Sequence, residues 1–156
     1  MPVTQVPVID PALRSVLRAL VRVCPHDDLV ARLVYLVDWR SALTIQRQTT
    51  AVEWRIDGRG PRLGLMEAAS RVVRAERKLL DRIMPTPTRR LPDLAAGDVD
   101  SLDHVLKEAA RMDRLQLVRL VMSTYPVMTA DLDGQPPVAD LPALVPPYRA
   151  AMGEAA

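Results

Sequence analysis

The side chains best suited to chemistry lie in one short stretch and at one isolated position. Cys24, His26, Asp27 and Asp28 stand close together, and His104 stands alone later in the chain. A thiolate is a nucleophile and a soft metal ligand, and an imidazole exchanges protons near neutral pH. Cys24 and His26 could therefore serve as a nucleophile with its base, or as two ligands of a metal ion.

Neither the metal site nor a catalytic role for His104 has the further residues it would need in the sequence. A zinc centre needs three or four ligands from paired clusters, and the chain contains no second group of Cys and His. We therefore expect Asp27 or Asp28 to cap a helix and Cys24 to pack as a small apolar residue. His104 falls on the polar side of an amphipathic helix, where we expect it to be solvated. The sequence predicts no catalytic residue, cofactor or metal, and an enzyme built on Cys24 and His26 is only the third interpretation.

Two turn-like motifs resemble ligand loops and lack their defining residues. Asp131-Leu-Asp133-Gly134 begins like a calcium loop but has no glutamate at the twelfth position, so we expect a turn. Gly58-Arg59-Gly60-Pro61 could offer backbone amides to an anion, although a phosphate loop needs a longer glycine pattern. We expect a tight turn that caps the following helix.

Composition predicts the fold class. The chain has 156 residues, 49% hydrophobic and 26% charged, which suits one globular domain. There is no Phe, and a core of Leu, Val, Ala and Met favours helices over a large sheet. We predict a mainly α, single-domain helical bundle around a central apolar helix, with one short β-strand or hairpin.

The charges and the lengths of the apolar runs predict the cellular location of the protein. The net charge is +2, and nineteen Arg against two Lys indicate GC-rich coding rather than phosphate binding. The longest run of large apolar residues, Leu33 to Val37, is far shorter than the roughly 20 residues that cross a bilayer. The first residues lack the pattern of a secretion signal, and Cys24 cannot form an internal disulfide. We expect a cytoplasmic protein without a membrane partner.

Hydrophobic spacing and capping signals place the elements of the first half. Asp10-Pro11 starts a helix over 11–23, and a second helix runs from Asp27 or Asp28 to about Ile45. That second helix is apolar on almost every side, which places it at the centre of the fold. Alternation over 49–56 predicts the one strand, and an amphipathic helix is expected over 62–83.

The second half contains shorter helices and many prolines. After a connector over 85–97, helices are expected over 99–110 and 114–124, the latter capped by Asp113 with Gln116. Prolines from Tyr125-Pro126 onward predict a chain that lies extended over the helices. We assign residues 1–130 to a helical domain and 131–156 to a proline-rich tail packed on it or extending from it.

Two surfaces could bind a macromolecule. The first is a row of cations at helical spacing within 71–90, a segment with seven positive and two negative charges. A solvated, salt-bridged helix explains much of it, since Glu67 can pair with Arg71 and Arg77 with Asp81. As a binding surface it would suit an acidic protein or a nucleic-acid backbone. The row consists of Arg71, Arg74, Lys78 and Arg82.

The second surface is the helix pair within 99–124, which resembles a helix-turn-helix in outline. In a DNA reader its second helix would present four side chains to base edges. The first helix of the pair is acidic and would meet phosphates badly, so two ordinary packed helices are the main interpretation. The four side chains are those of Arg114, Gln116, Arg119 and Ser123.

The order and spacing of several short motifs resemble the Panacea domain family over roughly residues 11–130. The motifs are Arg32-Leu-Val-Tyr35-Leu-Val-Asp38-Trp39-Arg40, Gln46-Arg-Gln-Thr-Thr50, Trp54, the turn at 58–61, Leu102-Asp-His-Val-Leu106, Leu117-Val-Arg-Leu-Val121 and Ser123-Thr-Tyr125-Pro126. The chain departs from the family at Arg59, where a tyrosine is common, and its tail has no counterpart there.

The resemblance implies a compact, non-enzymatic, helical domain of bacteria and their mobile elements, many of which act as antitoxins by binding a toxin directly. We therefore expect an antitoxin-like module whose partner is a toxin encoded by a neighbouring gene. The alternative is a DNA-binding regulator of its own operon or a phage or mobile-element accessory protein. Tyr35, Asp38, Trp39 and Trp54 should organise the central helix. The residues expected at a partner or within the motifs also include Arg59, Arg71, Arg74, Lys78, Arg82 and Tyr125.

Overall fold

The computed structural model describes residues 9–63, 66–80, 82, 93–131, 133 and 138–154. The described part of the chain is 66% helical, with seven α-helices and a three-stranded antiparallel sheet, which confirms the mainly α prediction. The helices are α1 (Pro11–Val23), α2 (Asp27–Ile45), α3 (Met66–Leu80), α4 (Ala96–Arg111), α5 (Arg114–Met122), α6 (Tyr125–Met128) and α7 (Val145–Ala151). The strands are β1 (Trp54–Asp57), β2 (Gly60–Leu63) and β3 (Val138–Ala139), and a short 3-10 helix covers Pro142–Leu144.

The first two helices begin and end close to where the sequence predicts them. Asp10 caps α1 by accepting a hydrogen bond from the Leu13 amide at 3.1 Å, and Pro11 occupies the first turn. The central helix α2 contacts α1, α4 and α5, and its residues from Leu33 to Trp39 are all buried. A helix surrounded in this way has no need of a polar face, which explains its uniform composition.

The small sheet differs from the single strand expected. The order is β2-β1-β3, and Asp57 pairs with Gly60 at the end of the β1–β2 hairpin. The turn at 58–61 therefore joins two strands, and the prediction that it caps the long helix is wrong. Gly60 has a φ of 103°, which favours glycine, and a Cβ there would lie 3.0 Å from the Met122 sulfur. Because 60–63 form β2, α3 begins at Met66 rather than at 62.

The helix pair of the second half lies near its predicted bounds. Helix α4 begins at Ala96, three residues before the predicted start at 99. Helix α5 begins as predicted with a reciprocal cap. The Asp113 carboxylate accepts from the Gln116 amide at 2.8 Å, and the Gln116 side chain accepts from the Asp113 amide at 2.9 Å.

The C-terminal segment does not lie extended, and that prediction is wrong. It contains α6, the strand β3 paired with β1, the 3-10 helix and α7. Of its described prolines, Pro126, Pro142 and Pro146 stand in the first turns of these helices, where a missing N–H costs nothing. Leu141 is fully buried and Val145 is 4% exposed, so the segment supplies part of the core.

Several predicted features fall outside the described residues. These include 83–92, which covers the predicted end of the long helix and most of the connector, and the position of Asp81. The start of the calcium-like motif is described: the Asp131 carboxylate accepts from the Asp133 amide at 3.0 Å, as in a turn.

We predict that Leu141→Ala lowers the free energy of unfolding by about 2–5 kcal/mol, because it leaves a cavity where a fully buried side chain packs. Val138→Ala is the matched control. Val138 is 43% exposed in the same segment, so its truncation should cost less than about 0.5 kcal/mol. Urea unfolding of both variants measures the difference. Equal, small effects would contradict the placement of Leu141 in the core.

Candidate functional site

The buried carboxylate of Asp38 joins the central helix to the segment that follows it. One oxygen accepts from the Thr50 amide at 2.8 Å. The other accepts from the Thr50 hydroxyl at 2.6 Å and from the Trp54 indole N–H at 2.8 Å. Asp38 and Trp54 both have no exposed surface. The three donors fix the indole of Trp54 and the backbone at Thr50 relative to α2.

Burial governs the ionisation of Asp38. Removal from water raises the pKa of the Asp38 carboxyl to about 6, although the donors of Thr50 and Trp54 oppose that rise by favouring the charged form. The Asp38 carboxyl therefore loses its proton near pH 6. It has no exposed surface that a ligand could contact. Its role is to position other groups rather than to contact a ligand.

A second buried carboxylate, Asp98, was not singled out in the sequence. It stands in the first turn of α4, 4% exposed, and one oxygen accepts from the Thr49 hydroxyl at 2.9 Å. The other oxygen accepts from Arg47 at 2.9 Å, and the Ser41 hydroxyl lies 2.6 Å from that of Thr49. Because Thr49 donates to Asp98, Ser41 donates to Thr49. The polar segment 46–50 therefore ties α2 to α4. The strand predicted over 49–56 begins only at Trp54, so residues 49–53 lie outside it.

Tyr35 links the central helix to the turn before α6. Its hydroxyl lies 2.7 Å from the Thr124 hydroxyl, which itself donates to the Val121 carbonyl at 2.7 Å, so Tyr35 donates to Thr124. Its ring meets Trp54 edge-on, with centroids 5.6 Å apart. Burial raises the pKa of the Tyr35 phenol, so this hydroxyl keeps its proton and its bond. Tyr35, Asp38 and Trp54 form one buried cluster.

An open groove lies on the opposite side of α2. It has a volume of about 270 Å³ and is bounded by α2, α4 and α5, with rings from α6 and α7 along one edge. Trp39 packs edge-on against Tyr148, and Tyr148 against Tyr125, both with centroids 5.6 Å apart. Sequence analysis selected Trp39 and Tyr125 but missed Tyr148. The apolar lining residues are Leu33, Leu36, Leu43, Val105, Ala109, Leu117 and Leu120.

Polar groups at the edge of the groove have no partners among the described residues. The side chains of Arg40 from α2 and of His104 and Glu108 from α4 line it without a hydrogen bond or ion pair to any described residue. The hydroxyls of Tyr125 and Tyr148 likewise have no hydrogen-bond partner among the residues described. An apolar floor with unpaired polar groups at its edge is the usual form of a binding site.

The groove carries no simple sequence signal. Leu36, Trp39, Arg40 and Leu43 follow helical spacing along one side of α2, and such spacing normally indicates a core face. Only Arg40, charged and exposed within that row, marks the side as different.

The Cys24 region forms a junction between helices. Cys24 is 3% exposed, its thiol donates to the His26 carbonyl at 3.4 Å, and burial raises its pKa. His26 occupies the cap position of α2 without a side-chain bond, so the prediction that Asp27 or Asp28 is the cap is wrong. Among the described residues, no three His, Cys, Asp or Glu side chains are grouped to hold a metal ion.

Both aspartates instead lie in the first turn of α2, where the helix dipole favours a negative charge. Asp27 accepts from Arg77 of α3 at 2.7 Å, and Asp28 accepts from both terminal nitrogens of Arg114 of α5. The bond from Arg114 lowers the pKa of Asp28. Arg77 also donates to the Cys24 carbonyl at 2.9 Å, so it joins α3 to the turn between α1 and α2.

Three cations of the basic row, Arg71, Arg74 and Lys78, are exposed on the solvent side of α3, while Ala69 and Val73 on the opposite side are buried. The fourth, Arg82, is exposed and follows the helix, which ends at Leu80. Arg74 donates to the Ser70 carbonyl at 3.4 Å, and the side chain of Glu67 is outside the described set. Helix α1 carries a second exposed row at four-residue spacing that sequence analysis missed: Arg14, Arg18 and Arg22.

The hairpin residue Arg59 is exposed and lies away from the groove. Its amide donates to the Asp57 carboxylate at 2.8 Å, and its carbonyl accepts from Arg32 of α2 at 3.0 Å. Arg59 lies at the tip of the hairpin. The candidate residues therefore divide into the buried cluster, the groove, the basic row and the hairpin tip.

The side chains that a helix-turn-helix would present to DNA are partly held elsewhere. Arg114 pairs with Asp28, and Gln116 completes the cap of α5. Ser123 donates to the Leu120 carbonyl at 2.9 Å, while Arg119 is exposed.

We predict that Asp38 makes folding less favourable as pH rises. Its pKa is about 6 in the folded chain against 3.8 for an ordinary aspartate, so the folded state holds the proton more tightly. The stabilisation is complete below about pH 4 and is lost as pH rises through about 6, with a slope of up to about 1.4 kcal/mol per pH unit.

Urea unfolding of the parent chain and of Asp38→Asn from pH 4 to 7 isolates this contribution, because Asp28 and other carboxyls titrate in both. The parent should lose stability relative to the variant across that interval. Parallel curves would show that Asp38 has an ordinary pKa.

No helix in the described part of the chain is both long and apolar enough to cross a membrane. Comparison of the chain with protein-family models, with curated proteins and with solved structures finds no match.

Proposed function

We propose that this chain is a Panacea-like, protein-binding module that neutralises a toxin encoded by a neighbouring gene by direct contact. The observation that supports the proposal is the groove between α2, α4 and α5. Its leucines and aromatic rings offer apolar contact area, and Arg40, His104 and Glu108 stand at its edge without partners among described residues. Protein interfaces combine an aromatic-rich apolar centre with a polar rim in this way.

The support beneath the groove favours a rigid binding surface. Trp39 lies next to Asp38, whose three hydrogen bonds fix α2, and Thr124 between α5 and α6 is held by Tyr35. No buried side-chain polar atom of the described residues lacks a hydrogen-bond partner. A surface that is ordered before binding loses less conformational freedom when a partner arrives, which favours affinity.

The helix-turn-helix alternative has less support. Arg114 is engaged by Asp28, Gln116 by Asp113 and Ser123 by the Leu120 carbonyl, so three of its four reading side chains would have to leave existing bonds. The groove lies where α4 and α5 meet α2. The basic rows on α1 and α3 remain the surface through which a nucleic acid would bind.

Co-expression with the neighbouring reading frame tests the proposal. We expect that frame to inhibit growth alone, growth to return when this chain is present, and the two proteins to co-purify. An innocuous neighbour that does not co-purify would refute it.

Matched variants locate the contact. Leu120→Arg introduces a charge into the groove and should weaken the complex at least about tenfold, as loss of a central apolar contact does. The double variant Arg74→Glu/Lys78→Glu reverses charge on α3 and should leave affinity within about threefold, as exposed charges outside an interface do. The reverse ranking, with both variants folded, would assign the interface to α3.

Duplex DNA carrying the chain's own promoter distinguishes the alternative. We expect no mobility shift at low ionic strength. A shift that weakens steeply with added salt, and that disappears in Arg74→Glu/Lys78→Glu, would favour the DNA-binding regulator, because release of counterions makes such binding salt-dependent.

A further inference from the structure

We propose that the groove between α2, α4 and α5 binds one large apolar side chain, such as Trp or Phe, of a partner polypeptide, with a neighbouring carboxylate of that partner against Arg40. The inference rests on the proposed protein-binding function and names the chemistry of the contact. Four properties of the groove carry it: its volume, its lining, its open side and the charges at its edge.

The volume suits one side chain. Apolar cavities of roughly 150 Å³ hold benzene, and pockets for larger organic ligands begin at roughly 300 Å³. At about 270 Å³ the groove lies between these sizes. An indole or a phenyl ring with its Cβ fits that space, whereas a nucleotide or a flavin would extend far beyond it.

A small residue on α4 borders the space. Ala109 is 7% exposed and lies in the groove wall between α4 and α5. A larger side chain at this position would extend into the space and occupy part of it. The adjacent Ala110 is exposed and does not line the groove.

The lining suits an aromatic or branched apolar group. The rings of Trp39, Tyr125 and Tyr148 meet edge-on along one side, so they leave further ring faces and edges for an incoming aromatic ring. Leu33, Leu117 and Val105, each less than 6% exposed, form the opposite and lower surfaces. Binding a single apolar anchor in such a pocket supplies much of the affinity of many protein interfaces.

The charges at the edge set the chemistry next to the anchor. Arg40 belongs to the α2 wall and is exposed, with its guanidinium unpaired among described residues. Glu108 and His104 belong to the α4 wall across the groove. A partner segment that crosses the groove therefore gains a pair by placing a carboxylate on the α2 side. The open groove also lets the flanking backbone continue into solvent, which a free small molecule does not require.

Blocked dipeptides test the inference without the partner. The full-length chain is titrated with N-acetyl-Asp-Trp amide, N-acetyl-Asp-Ala amide and N-acetyl-Lys-Trp amide, and amide resonances are followed by two-dimensional NMR. We expect saturable shifts at Ala109, Leu117 and Leu120 with the first peptide. Its affinity should exceed that of the Ala peptide at least about fivefold, from burial of the indole, and that of the Lys peptide by about threefold, from the exposed ion pair with Arg40.

Matched variants assign the contacts. Ala109→Leu should abolish the shifts, and Ala110→Leu should leave them unchanged; thermal unfolding checks that both fold. Arg40→Glu should reverse the preference between the Asp and Lys peptides. Lys107→Glu, an exposed charge reversal on α4 outside the groove, should not. The comparison of Arg40→Glu with Lys107→Glu keeps the test valid if Ala109→Leu fails to fold.

Three results would overturn the inference: no shifts at the groove with any peptide, shifts that persist in folded Ala109→Leu, or binding of free indole as tight as that of N-acetyl-Asp-Trp amide. The last would indicate a small-molecule site. If the peptides do not bind but the toxin still co-purifies, only the proposed side-chain anchor is refuted. If the peptides bind but the toxin does not, only the proposed function is refuted.

Discussion

The buried carboxylate of Asp38 is the constraint on which the rest of the structure depends. A carboxyl group removed from water must be satisfied by donors, and here the Thr50 amide, the Thr50 hydroxyl and the Trp54 indole supply them. These bonds fix where the chain goes after α2, because Trp54 opens β1 and β1 pairs with both other strands. The raised pKa of Asp38 shows that the donors only partly offset its burial.

A central helix with this anchor on one side can leave the other side open. Leu36, Trp39, Arg40 and Leu43 run along the wall of the groove, while Asp38 and Tyr35 face the sheet and α6. Asp98 adds a second fixed point by tying the start of α4 to Thr49 and Arg47. Bonds deep in the protein therefore help to hold the walls, together with the direct packing of α2 against α4 and α5. An unfilled space of about 270 Å³ can persist between helices held in this way.

Local signals in the sequence predicted the helices because each signal acts within a few residues. Asp10-Pro11 starts α1, and Asp113 with Gln116 starts α5, through bonds between neighbours in the chain. The failures involve distant partners. Val138 and Ala139 pair with β1 across more than eighty residues, and Leu141 is buried by the same long-range packing. Asp27 and Asp28 resemble helix caps in the sequence, but they form ion pairs with Arg77 and Arg114 from other helices.

The candidate site was only partly predictable for the same reason. Tyr35, Asp38, Trp39 and Trp54 stand out by type, and the structure places them at the buried cluster and the groove. Tyr148 and Ala109 do not stand out, since one lies in a proline-rich segment and the other is an alanine in a helix. Their importance comes from the space they border, which no local pattern encodes. The arginines of α1, by contrast, have four-residue spacing that the sequence alone shows.

Hydrogen exchange of the full chain, alone and bound to the protein encoded by the neighbouring frame, tests most directly whether the groove is the binding surface. The expected result is slower exchange over 36–43, 105–109 and 117–120, which border the groove, with α1 and α3 unchanged. Protection confined to α1 and α3, with those segments unchanged, would contradict it.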